Sequence, residues 1–269
     1  MRSSSLFAAS LLAAFVCGSS ALAQAPAAAP PPIKADKNGV GPKSKGEESA
    51  VRAVFQAQTK SPDEEIAACE ALITKYADTV YKSFALELEA EAYQKKNDNV
   101  KAIVYGEQSL QADAKNYDAD NLLANIYAST TKDTDLNREQ NLTKAEKYAH
   151  DSLTALDGGK PAIFARASDD AWNKTKAGAT EQAYQALGLV ALDRKKFDDA
   201  IANFEKGLDA MPDPLLMIRL GRVYAVEHKY DEAITWDQKV IDSADAPAPY
   251  KKYAADDKQR FTQSKQSAK

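Results

Sequence analysis

The sequence predicts an all-α fold built from stacked antiparallel helical hairpins, without a sheet, and three observations carry that reading. Pairs of small residues twelve apart recur three times, as Ala90 and Ala102, Gly188 and Ala200, and Gly221 and Ala233. The second member always opens an Ala-Ile pair: Ala102-Ile103, Ala200-Ile201 and Ala233-Ile234. Large apolar residues around these pairs keep a helical period, as with Ala200, Phe204 and Leu208. Two antiparallel helices that cross closely need small side chains at the crossing and larger ones on either side. A hairpin cannot bury both of its faces alone, so hairpins of this kind must stack.

The chain opens with Arg2, the apolar run LFAASLLAAFVCG and the small-residue site Ala21-Leu22-Ala23. This is the pattern of a secretory signal peptide cut between Ala23 and Gln24, which implies a periplasmic or secreted mature chain. Gly18, Ser19 and Ser20 end the apolar run before it is long enough to span a bilayer. Lipidation at Cys17 is the alternative, but Val16 precedes it where such processing wants a small residue. No later stretch is long and apolar enough to cross a membrane, so no integral membrane segment is expected once residues 1–23 are removed.

Residues 24–46, rich in Pro, Ala, Lys and Gly, are expected to form a disordered linker. The repeat domain is expected over 47–264, and a disordered tail over 265–269. An irregular first unit begins near Glu47, with Val51, Val54 and Phe55 in its first helix and SPDEEIAACEALITKY as its second. Ser61, Pro62 and Glu64 make a strong start for that second helix: a capping side chain, a proline whose missing N–H is not needed, and an acid three residues on. Glu65 then falls at the small-residue position and Cys69 at the aromatic one.

In the second unit, residues 83–116, Leu86, Ala90, Tyr93, Ala102 and Leu110 fit the pattern, but Gly106 stands where an aromatic is expected and Tyr105 precedes it by one. Tyr148 and Trp236 show the same offset. The third unit has Leu123, Ala124 and Tyr127, yet its second small residue, Ala145, comes nine positions later than the usual spacing from Ala124 requires, so an insertion lies within TTKDTDLNREQ. Between the third and fourth units, GGKPAIFARASDDAWNKTKAGAT exceeds what stacking needs. Ser168 caps a short helix there that carries Trp172, and the helix can run into the fourth unit if Gly178 is tolerated at about 1 kcal/mol relative to Ala. After Pro247 and Pro249, Tyr250 to about Gln263 reads as a solvating terminal helix.

Composition and motifs narrow the function. The formal charge is −4, and loss of the signal removes one base, Arg2, and no acid. General nucleic-acid binding, which draws on clustered bases, is therefore not expected. Cys69 is the one cysteine left after cleavage, so no internal disulfide is available, and its place in a stripe with Ile66 and Ile73 suits a buried core thiol. His150 and His228 lack the spacing of a metal site. No phosphate-cradling glycine loop and no G-x-S-x-G turn occur, so neither a cofactor nor catalysis is expected. Asp169-Asp170 and Asp256-Asp257 are read as acids at helix starts. Asn141-Leu142-Thr143 and Asn173-Lys174-Thr175 fit a glycosylation pattern that is common by chance, and the Ala-rich signal has a bacterial character.

The steps from Gly188 to Gly221 and from Ala90 to Ala124 both lie close to a repeat period of about 34 residues. Tyr184, Leu187, Gly188, Phe197, Ala200, Phe204 and Pro212, then Leu220, Gly221, Tyr224, Tyr230 and Ala233, occupy the large, small and aromatic positions of a known pattern. On these residues the chain resembles tetratricopeptide-repeat proteins, and its Ala-rich signal-like start makes the type an exported bacterial one. The resemblance implies a right-handed αα superhelix of about four to five hairpins, with one insertion inside a repeat and a C-terminal capping helix.

It also implies that the first helix of each unit lines a concave groove. The residues so placed are Glu87 and Glu91, Asn121 and Asn125, Gln182 and Gln185, and Arg219 and Arg222, which would grade the groove from acidic through amide-rich to basic. The lysine-plus-asparagine arrangement with which some relatives clamp a C-terminal carboxylate is not reproduced. The implied function is a non-catalytic exported scaffold that binds a peptide segment or protein partner in the cell envelope. The alternative is a component of an envelope assembly, secretion or polysaccharide-export machine, ahead of an enzyme or carbohydrate-active domain.

Overall fold

The structure, a computed structural model, describes residues 41–161 and 167–267. Those residues hold eleven helices and no strand: α1 (Lys45–Ala57), α2 (Pro62–Lys75), α3 (Lys82–Lys95), α4 (Asn99–Ala112), α5 (Tyr117–Thr130), α6 (Arg138–Asp157), α7 (Asp169–Asp193), α8 (Phe197–Ala210), α9 (Pro214–Val226), α10 (Tyr230–Asp242) and α11 (Ala248–Ser267). Short turns join them into the hairpins α1–α2, α3–α4, α5–α6, α7–α8 and α9–α10, each packed on the next, with α11 closing the stack. First helices of neighbouring units also touch, α3 with α5, α5 with α7, and α9 with α11. The result is an αα solenoid.

Two ends differ from expectation. Ser44 caps α1 by accepting from the Glu47 N–H at 3.1 Å, so the first helix begins at Lys45, inside the stretch read as linker. At the other end α11 runs to Ser267, past the expected domain end at 264, because Phe261 is buried against Ala225 and Ala233 and anchors its last turns. The predicted signal peptide and residues 24–40 of the predicted linker lie outside the described residues.

Local signals place the helix starts. Ser61 and Glu64 form a reciprocal capping box on α2, with Pro62 in its first turn. Ser168 accepts from the Ala171 N–H at 3.2 Å, and α7 then continues unbroken through Gly178 to Asp193. The run-on is possible because Gly178 is not left open: a side chain there would meet Met211 Cε at 3.5 Å. The insertion in the third unit divides between a longer loop, 131–137 against 96–98 and 194–196 in other hairpins, and an added turn at the start of α6.

The small residues work as predicted in kind but not always with the predicted partner. Gly221 does lie against the Ala233 backbone, where a Cβ would be 3.3 Å from the carbonyl oxygen. Gly188 instead faces the Phe204 ring, while Ala200 is fully buried in the same cluster. The early aromatics also find a reason. Tyr105 stacks on Tyr93 at 5.1 Å and Tyr148 on Tyr127 at 6.1 Å, each pairing across its own hairpin. Gly106, left small by that shift, makes room for Leu123 of the next unit, whose Cδ2 would be 3.0 Å from an added Cβ. Cys69 is a buried free thiol whose pKa is raised by burial. Asp256-Asp257 is not at a helix start: the pair lies in the middle of α11, and Asp257 is buried.

Candidate functional site: the first-helix face

Along α5, α7, α9 and α11 several of the expected groove residues are joined by hydrogen bonds across helices. Ala119, Ala124, Ala179, Ala183 and Ala186, all buried, let α5 and α7 approach closely. Asn121 Nδ2 donates to the Ala179 carbonyl at 2.9 Å, and Asn125 Nδ2 to the Gln182 carbonyl at 3.2 Å. Gln185 Nε2 donates to Asn125 Oδ1 at 2.9 Å and its Oε1 accepts from Arg219 Nη1 at 2.5 Å. Arg222 Nε then reaches Asp257 Oδ2 on α11 at 2.5 Å.

Several of the expected groove residues therefore stitch helices together instead of standing open. Asn121 is 1% exposed. Arg222, expected to act with Arg219, is an anchor for the terminal helix, because Asp257 also takes Arg260 Nη2 and leaves the cluster closely knit. Gln182 is half-buried and its side chain makes no hydrogen bond among the described residues.

The acidic end is less charged than its composition suggests. Glu87 is 3% exposed, and burial first, then Glu91, Asp118 and Glu65, hold its pKa well above the usual carboxylate range. Asp118 is pushed up to about 7 by burial and by Glu91, against a Tyr117 hydrogen bond that opposes the rise. Lys95 Nζ compensates part of the cluster by pairing with Glu65 at 2.9 Å and Glu91 at 3.9 Å. Sequence reasoning missed Glu65 and Asp118 as members, since they come from the neighbouring helices α2 and α5, and missed Lys95, which ends α3 and pairs with Glu65 only once α2 packs on it.

Arg219 stands apart. Burial lowers its pKa, but a guanidinium keeps its charge at neutral pH. Glu181 lies near enough to feel it, yet Glu181 is itself pushed up to about 8, by burial first and by Asp213, with Arg219 opposing. Among the described residues Arg219 has no ion pair within 4.0 Å, and the Gln185 bond uses only Nη1. Among the described residues Nε and Nη2 are left as donors without a protein acceptor, on a half-buried cation.

The two other segments of interest are packed into the scaffold. The Trp172 indole meets Tyr117 edge-on at 5.9 Å. The insertion is clasped by Arg138, which pairs with Asp133 at 3.2 Å, while Arg194 binds Glu139 at 3.1 Å and Glu146 at 2.9 Å. No group of three or more His, Cys, Asp or Glu among the described residues could hold a metal ion.

Residues 186–249, from α7 to the start of α11, match the family model for the tetratricopeptide repeat. Beyond that segment, the chain is similar to the crystal structure of a thermophilic TPR protein in Thermus thermophilus, with a TM-score of 0.58 at 15% identity over 78% of this chain and 98% of that one. Residues 186–249 thus carry the tetratricopeptide repeat, and the likeness over the longer stretch is one of fold. A second solved structure similar to this chain is an assembly chaperone of RpL4, residues 1–338, with a TM-score of 0.41 at 10% identity over 82% of this chain and 99% of that one. No curated protein matches it. The tetratricopeptide fold suggests a protein-interaction scaffold, because stacked hairpins present an extended concave surface.

Proposed function

We propose that this chain is an exported, non-catalytic scaffold that binds a protein or peptide partner in the cell envelope through its first-helix face. Arg219 carries the reading. It is a charged, half-buried guanidinium with unmatched donors, at the end of a row of amides that hold it by Gln185. Such a group suits an acidic side chain or carboxylate, since a charge-assisted hydrogen bond in a recess is stronger than one on an open surface. Export rests on the signal-like residues 1–23, and intact-mass measurement of the mature chain tests it: a start at Gln24 is expected, and a lipid on Cys17 would overturn it.

The partner reading is tested by crosslinking in intact cells from a photoreactive residue at position 182, comparing wild type with Arg219→Glu and with Lys252→Glu on exposed α11 surface. Loss of a charged hydrogen bond should lower capture by about tenfold or more for Arg219→Glu. Lys252→Glu should leave it unchanged, because exposed charges away from the site are screened. Arg222 is kept intact, since its change would undo α11. Equal capture by wild type and Arg219→Glu, both folded by circular dichroism, would remove Arg219 from the mechanism.

A further inference from the structure

Asp237 follows Phe204 by the same step along the chain that separates Gly221 from Gly188, so it holds the same place in its own hairpin. Where the fourth unit lays an aromatic ring over its glycine, the fifth puts a carboxyl group. A Cβ on Gly221 would lie 3.5 Å from Asp237 Oδ1. Asp237 is 0% exposed, and among the described residues neither of its oxygens has a hydrogen-bond partner. A buried carboxylate without donors is strongly disfavoured, so this group keeps its proton in the packed state.

The charged groups that face Asp237 come from the two helices packed on α10. From α9 comes Arg222, and from α11 come Asp257, Lys258 and Arg260. All three cations are engaged elsewhere. Arg222 and Arg260 both hold Asp257, and Lys258 Nζ bonds Gln238 Oε1 at 2.5 Å. The Arg222–Asp257 pair ties α9 to α11, and Ala254 and Phe261 seat α11 on Ile218, Val240, Ala225 and Ala233.

We propose that Asp237 makes the seating of α11 proton-dependent: the terminal helix stays docked while this carboxyl is protonated, and loosens when it ionises. An ionised Asp237 competes with Asp257 for Arg222 and repels Asp257, so the tie between α9 and α11 weakens. Loosening would uncover the apolar end of the solenoid around Phe261. Burial first, and then Asp257, push the Asp237 pKa up to about 8, with Arg222, Arg260 and Lys258 opposing. A folded value above the unfolded one means that docking is fully favoured at acid pH and is lost as pH rises through about 8.

Hydrogen exchange of the whole mature chain, read by mass spectrometry and corrected for the intrinsic pH dependence of exchange, tests this. Between about pH 6 and about pH 9, protection of α11 amides should fall about tenfold or more relative to α5 amides in the same molecule. Asp237→Asn, which cannot ionise, should hold α11 protection constant over that range. Asp237→Leu provides a second non-titrating variant if the amide packs poorly. Constant α11 protection in wild type, or the same fall in wild type and in whichever variant folds, would overturn the proposal.

Discussion

The Phe204 ring occupies the space that a Gly188 side chain would need: a Cβ on Gly188 would come within 2.2 Å of Phe204 Cε1. One hairpin thus depends on the absence of one side chain and the presence of another. Gly188→Ala should destabilise by about 1–3 kcal/mol through overpacking, and Phe204→Ala by about 3–5 kcal/mol through loss of a buried ring. The double variant should be less damaging than the two effects combined, since the missing ring leaves room for the new methyl. Urea unfolding of all four proteins measures that coupling, which should exceed about 0.5 kcal/mol. Strict additivity would mean that the ring and the glycine do not meet.

Three hairpin turns place a residue other than glycine in the left-handed region, with φ 60° at Asn97 and 59° at Lys195 and His228. Each closes a helix by the same pattern; for Lys195 the N–H bonds the Leu192 carbonyl at 2.9 Å and the following Lys196 N–H bonds that of Ala191 at 2.9 Å. Glycine adopts this backbone without the Cβ clash, so Lys195→Gly should stabilise by about 0.5–1 kcal/mol. His228→Gly should gain less because it loses the contact between Nδ1 and the Tyr230 hydroxyl at 3.0 Å. Asn97→Gly should gain least, as asparagine tolerates the region. Thermal unfolding ranks the three, and a lower melting temperature for Lys195→Gly would refute the argument.

Stability should fall with rising pH. Glu89 is 1% exposed with neither oxygen partnered, and burial first, with Glu70 adding, pushes it up to about 8. Asp120 is pushed up to about 7, chiefly by burial. Folded values above unfolded ones mean that the folded chain binds more protons between about pH 4.5 and about pH 8, so these groups favour folding below that window and disfavour it above. Glu64 and Asp78 are shifted down and titrate below it. Glu89→Gln should match wild type more closely near about pH 5 and exceed it near about pH 9 in urea unfolding. Wild-type stability that rises across this range would contradict the assignment.

Much of the scaffold could be read from neighbours along the chain. Helix period, the Ser61–Glu64 capping box, the Ser168 cap and the twelve-residue spacing depend on a handful of local residues and on the geometry of one hairpin, so they are visible in sequence. The roles of the face residues were not. Gln185 bonds Asn125 from 60 residues away and Arg222 bonds Asp257 from 35, through stacking contacts that no local pattern encodes. Burial is likewise a property of the assembled stack, which is why Glu87 reads as a surface acid in sequence and proves buried, and why Asp257 reads as a helix-start acid and proves to be the anchor of α11. The amino-acid order by itself determined which segments become helices and which of them pair. Only the tertiary structure decided which polar groups hold those helices together and which, like Arg219, keep donors to offer, because desolvation and partner distance arise only when distant helices meet.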